Sequence, residues 1–136
     1  MKTLRLWDIL KATGLEKYFD FGITSHEIQV SKPDPRIFAH ALSTADDYAQ
    51  RRDPYARTLV GKEALHVGNK FDMDFGGAQS AGWHGFVIIS PEEYAEQILS
   101  IPPAVRYANP SVVFSDLTEL RMYFENTNEV DKKAAK

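Results

Sequence analysis

Ala64-Leu65-His66-Val67-Gly68 runs without a break into Asn69-Lys70-Phe71-Asp72-Met73-Asp74-Phe75-Gly76-Gly77-Ala78-Gln79-Ser80-Ala81-Gly82. The first five residues form a compact apolar run closed by glycine. That suits a strand buried on both faces better than an alternating, half-exposed one. A helix is expected from about Asp74 to Ala81. Gly82-Trp83-His84-Gly85 then turns the chain into Phe86-Val87-Ile88-Ile89, a second buried strand bounded by Ser90 and Pro91. Strands alternating with helices, without internal repeats, indicate an α/β architecture around a parallel sheet.

The flanks extend this pattern. Upstream, Leu4, Leu6, Trp7, Leu10 and Leu15 recur at helical spacing, and Gly14 offers a stop. Phe19 to Ser25 reads as a short strand with β-branched Ile23 and Thr24. Lys32-Pro33-Asp34-Pro35 forces an extended turn, and Pro35 can begin a helix that carries Ile37, Phe38, Ala41 and Leu42 inward. Thr44 to Glu63 is polar and is expected to be a surface insertion, partly helical. Downstream, Glu92 to Leu99 reads as a short helix ended by Pro102-Pro103, and Val112-Val113-Phe114 as a third strand. Asp116 with Glu119 resembles a capping pair for a last helix through Leu120, Tyr123 and Phe124. Asn126 to Lys136 holds little to bury and is expected to be a disordered tail, which leaves one domain over residues 1–125.

Composition narrows the partners. Sixteen Lys+Arg against nineteen Asp+Glu give a formal charge of -3, which offers no attraction to a phosphate backbone or an anionic membrane. Neither nucleic acid nor membrane is an expected partner. The absence of cysteine rules out disulfides and thiolate metal sites, so any metal must sit on oxygen or imidazole ligands. No signal-peptide pattern or membrane-length apolar run is present, and a reducing cytoplasmic setting, extending to the nucleus, is expected.

The chemistry concentrates in two segments, Thr24-Ser25 through Phe38 and His66 through Gly82. Each lies where a buried strand meets a helix, the sheet edge at which α/β folds bind ligands. An acidic pair there can hold Mg²⁺ through oxygen, and a lysine such as Lys32 can neutralise a phosphate. The blander readings are a solvated Lys32, an Asp74 that caps a helix, and a His66 that is a satisfied core histidine. His26, His40 and His84 have no partner spacing and read as surface residues.

The two segments resemble the third and fourth motifs of the haloacid dehalogenase superfamily, in the branch of haloacid dehalogenase-like hydrolase domain-containing protein 3. Gly14-Leu15-Glu16-Lys17-Tyr18-Phe19-Asp20-Phe21, Ser31-Lys32-Pro33-Asp34-Pro35 and Leu65-His66-Val67-Gly68 carry the resemblance, which runs from about Leu4 to Phe124. It implies a three-layer, Rossmann-like core of sheet order 5-4-1-2-3. The strands at Phe21–Thr24, Leu65–Val67 and Phe86–Ile89 would be its third, fourth and fifth, accompanied by a further short strand. It also implies a Mg²⁺-dependent phosphatase chemistry through an aspartyl-phosphate. In that chemistry Lys32 is catalytic and binds the substrate phosphate, and Asp74, with Asn69 and Asp72, forms the metal site.

Two departures stand out. An amide, Asn69, occupies the place of the family's first metal carboxylate and brings no charge to a dication. The Asp-x-Asp-x-Thr/Val nucleophile motif ends no strand of this sequence, and neither the family's first two strands nor its cap is represented. The expectation is therefore a truncated HAD-like hydrolase, inactive as this chain, with Mg²⁺ bound weakly or not at all. A small phosphorylated substrate belongs only to an intact parent. The alternative is a non-catalytic α/β interaction module or pseudoenzyme. Either way the exposed strand edges are expected to seek a second copy or a complementary N-terminal half.

Overall fold

A computed structural model of the chain describes residues 5–99 and 112–134. Among the described residues three strands, β1 (Leu65–Gly68), β2 (His84–Ile88) and β3 (Val113–Phe114), lie side by side in the order β1-β2-β3 and are all parallel. Leu65 stands opposite His84 and Val67 opposite Phe86. Val87 faces Val113 and Ile88 faces Phe114. Among the described residues six α-helices accompany them: α1 (Leu6–Ala12), α2 (Ser25–Ile28), α3 (Pro35–Arg52), α4 (Gly77–Ser80), α5 (Pro91–Ile98) and α6 (Leu117–Ala134). The parallel α/β architecture expected from the strand-helix alternation is what the chain adopts. Among the described residues no helix is long and apolar enough to cross a membrane.

Side chains alternate across the sheet, so each strand feeds two layers. One face carries His66, Gly68, Gly85 and Val87. A π-helical turn, Phe71–Gly76, and α4 press on it so closely that a Cβ on Gly85 would meet Ala78 and Phe75 at 3.2 Å. The core forms here from Phe71, Phe75, Val87, Ile89 and Val112. On the opposite face α6 lays Tyr123 against Phe86 and Phe114, with ring centroids 5.5 Å apart in both contacts.

The capping signals work as their chemistry requires. Asp34 accepts the Arg36 amide ahead of Pro35, and Ser90 accepts the Glu93 amide ahead of Pro91. Asp116 accepts the Glu119 amide, and the Glu119 carboxylate reaches back to the Ser115 amide at 2.8 Å. Gly14, at φ +73, turns the chain just beyond α1.

Four expectations are corrected. Phe19 to Ser25 is not a strand: Phe19 and Thr24 have extended dihedrals, but the stretch pairs with nothing, and Thr24 instead caps α2. Extended backbone becomes a strand only when a neighbour takes up its hydrogen bonds. The polar stretch from Thr44 is not an insertion at its start, because α3 continues to Arg52 with no glycine or proline before Pro54. The helix expected at Asp74 begins at Phe71 and is wound wide, with the Phe75 amide bonding Lys70 C=O at 3.3 Å. The last helix does not give way to a tail at Asn126 but runs to Ala134, since Glu129, Lys132 and Lys133 are good helix formers. Leu4 and the Pro102-Pro103 stop lie outside the described residues.

Candidate functional site

β1 ends at Gly68, and the chain turns back under it so that the Asp74 side chain fills the space a Cβ on that glycine would need. Such a Cβ would lie 2.1 Å from Asp74 Cγ. Only glycine allows this approach. Asp74 is 1% exposed, and both its oxygens are occupied. Oδ1 accepts from Lys32 Nζ at 2.5 Å and lies 2.7 Å from His66 Nε2. Oδ2 accepts the backbone amides of Asn69 and Lys70, each at 3.0 Å.

Each partner arrives from a different element. Lys32 comes from the loop ahead of α3, 42 positions away in sequence, with a cis bond to Pro33 and the Asp34 cap following it. His66 projects from β1 on the same face as Gly68, its ring edge-on to Phe38 with centroids 5.2 Å apart. A carboxylate only accepts, so His66 Nε2 carries the proton between them. Burial pushes the Asp74 carboxyl up. Hydrogen bonds from His66, Lys32 and the Lys70 amide, together with the Lys32 charge, overcome that and hold it at about 2. Lys32 remains 35% exposed, at the mouth of a hollow of about 240 Å³ lined by Ile23, Ile37, Phe38, His66 and Trp83.

No family model matches the chain. It is 36% identical over 110 residues to haloacid dehalogenase-like hydrolase domain-containing protein 3 of Bos taurus, covering 81% of this chain and 36% of that protein. The mouse protein of the same name is 38% identical over 88 residues, covering 65% of this chain and 30% of its own length. Glyceraldehyde 3-phosphate phosphatase of Methanothermobacter thermautotrophicus is 32% identical over 95 residues, covering 70% and 37%. This chain belongs to the haloacid dehalogenase-like superfamily. It spans about a third of the length of these relatives.

Of the four residues singled out for a HAD-like site, the fold joins Lys32 and Asp74 directly. Asn69 takes part through its backbone: its amide binds Asp74 and its carbonyl accepts from Gln97 Nε2 at 3.1 Å, while the residue is exposed. Asp72 is exposed too, its Oδ1 turned to the Met73 amide at 2.8 Å. Among the described residues no group of three or more His, Asp or Glu side chains is placed to hold a metal ion. A carboxylate has about four acceptor sites. On Asp74 the four donors account for them, one being an ammonium that a cation would have to displace. The arrangement as it stands does not fit Mg²⁺ at Asp74.

Two participants went unread in the sequence. His66 is a satisfied histidine, as expected, but β1 is only half-buried and the group that satisfies His66 is the site carboxylate. Its i, i+2 relation to Gly68 puts both on one sheet face, and that alternation was the available signal. Gln97 on α5 also accepts the Phe71 amide at 3.0 Å and so holds the turn from both sides. No local pattern marks that glutamine.

Proposed function

We propose that this chain supplies the lysine–aspartate half of a HAD-like hydrolase centre and does not by itself complete a phosphoryl transfer. The observation that carries the reading is the Lys32–Asp74 ion pair, whose anion is buried and whose ammonium stands partly in solvent beside the hollow. A carboxylate held in this way keeps the lysine aimed. The ammonium can then neutralise an incoming phosphate oxygen without losing its own counter-ion.

Forming an aspartyl-phosphate requires a carboxylate oxygen free to attack phosphorus. Asp74 is the wrong candidate, because all its lone-pair directions are occupied and it is stabilised as an anion. Asp72-Met73-Asp74 is the sole Asp-x-Asp in the 136 residues, and Phe75 follows it where the family has its second spacer before Thr or Val. The nucleophile of such a centre therefore has to come from outside this sequence, and with it the small phosphorylated substrate of an intact parent. Magnesium, which the family's chemistry implies, would meet an amide at position 69 in place of a charged ligand, and its binding would be weak.

The test is hydrolysis of para-nitrophenyl phosphate by the purified chain with Mg²⁺ present. The expected result is no turnover above the uncatalysed blank. Turnover abolished by Lys32→Ala or Asp74→Ala would overturn the claim of incompleteness. Turnover surviving both would place the chemistry at a different site and overturn the assignment of Lys32 and Asp74.

A further inference from the structure

α5 meets the turn after β1 through two side chains that share one helix face, Tyr94 and Gln97. The Tyr94 ring lies against Phe71, with centroids 5.7 Å apart, and the Gln97 amide grips the backbone on either side of Lys70. Its Oε1 accepts the Phe71 N–H at 3.0 Å, and its Nε2 donates to Asn69 C=O at 3.1 Å. A side-chain amide carries a donor and an acceptor on one carbon, which neither a carboxylate nor an ammonium can do.

The consequence reaches Asp74. A peptide unit is a rigid plane whose N–H and C=O point in opposite directions. In the unit between Asn69 and Lys70 the C=O is bound to Gln97 and the N–H to Asp74 Oδ2, so the two side chains hold one plane from opposite sides. The plane before it is held by the Asn69 N–H on Asp74 Oδ2. The plane after it is held by the Phe71 N–H on Gln97 and by Lys70 C=O, which accepts the Asp74 N–H at 2.9 Å. Three successive planes are thus fixed, and with them the dihedrals of Asn69 and Lys70.

We propose that Gln97 is a positioning residue of the lysine–aspartate site, acting through the Asn69–Lys70 peptide. It aims two backbone amides at Asp74 Oδ2, which leaves Oδ1 to Lys32 and His66. It also sets the direction in which the side chain at position 69 leaves the turn. That this geometry serves phosphoryl chemistry rests on the reading of Lys32 and Asp74 as half of a hydrolase centre; the clamp itself does not.

Amide hydrogen exchange of the whole chain, resolved by NMR, tests it. Gln97→Met keeps the length of the side chain and removes the amide, whereas Gln97→Glu keeps an acceptor for Phe71 and loses the donor for Asn69. The amides that decide are those of Asn69 and Lys70, whose acceptor Asp74 is altered in neither variant. In Gln97→Met they are expected to exchange roughly tenfold faster, together with Phe71. The His84 and Ile89 amides, bonded within the sheet to Ala64 and Phe114, should keep their rates. In Gln97→Glu, Asn69 and Lys70 should speed up while Phe71 stays protected, and this separation decides alone should Gln97→Met fail to fold. Lysine acylation followed by mass spectrometry is a second measure: Lys32 should react several-fold faster in both variants, and the exposed Lys62 at an unchanged rate. Unchanged exchange at Asn69 and Lys70, or an unchanged Lys32 rate in both variants, would overturn the proposal. So would an equal rise at His84 and Ile89, which would make Gln97 a general stabiliser. Turnover of para-nitrophenyl phosphate that survives Lys32→Ala and Asp74→Ala would instead overturn the catalytic reading and leave the clamp standing.

Discussion

Asp72 and Asp74 are two residues apart on one turn and differ in almost everything that matters. Asp74 is 1% exposed and takes four donors from the Lys32 loop, β1 and the turn itself. Asp72 lies in solvent and holds one neighbouring amide. An identical carboxyl group is a fixed structural anion in one place and a surface charge in the other, and what separates them is which donors the fold brings to each. The donors come first. A buried carboxylate without them would be costly enough to protonate or to prevent the turn from closing.

The sharpest way to break this comparison is to delete the two carboxylates in turn. Asp74→Ala leaves Lys32 without its counter-ion and two backbone amides without an acceptor, at a cost of about 3 kcal/mol in urea unfolding. Gly68→Ala should cost a similar amount, because its Cβ would lie 2.1 Å from Asp74 Cγ and neither strand nor turn can retreat. Asp72→Ala is expected to stay within about 0.5 kcal/mol. Equal losses for the two aspartates would end the distinction.

Acid provides a second and smaller measure. The folded Asp74 carboxyl is held at about 2 against an ordinary 3.8, so the fold favours the anion. A lowered carboxyl contributes stability that is fully present above its ordinary value and is lost as pH falls through the folded one. About 2 kcal/mol should therefore disappear between about pH 4 and about pH 2. Asp74→Asn should flatten the curve in that window, and an unchanged slope in that variant would show that other groups drive the acid transition.

The smallest expected effect concerns the metal. Millimolar Mg²⁺ should move the thermal midpoint of the unaltered chain by less than about 1 °C, because the Asp74 oxygens are taken and Asn69 brings no charge. Asn69→Asp should raise that shift to about 2 °C or more. The same shift in both chains would show that position 69 does not face the cation.

Much of the site is legible in the sequence alone. The Asp34-Pro35 and Ser90-Pro91 starts act within one helical turn and were legible for that reason, as was the Asp116–Glu119 pair. Lys32 and Asp74 stood out through the resemblance of Ser31-Lys32-Pro33-Asp34-Pro35 and the His66 to Gly82 segment to the family's third and fourth motifs. Phe19 to Ser25 misled, since its β-branched residues give extended backbone but cannot provide the neighbour that makes a strand. His66 was recognised as a satisfied core residue, and its partner was not, because that partner lies on another element.

The sequence by itself determined what depends on near neighbours: the β1 and β2 strands, the capped helix starts at Pro35, Pro91 and Leu117, and the amide at position 69. The expectation that β1 is buried on both faces did not hold, because among the described residues no strand covers its outer side and Val67 is left 38% exposed. The sequence also carried enough of the family's motifs to place the chain in the haloacid dehalogenase-like superfamily. Only the tertiary structure decided that Lys32 reaches Asp74 across 42 positions, that His66 joins them, and that the site carboxylate is fully bonded. It alone decided that β1 keeps a bare outer edge. The reason is physical: propensity and capping act over a few residues, whereas a carboxylate's charge state and a strand's free side depend on groups that folding brings together from distant parts of the chain.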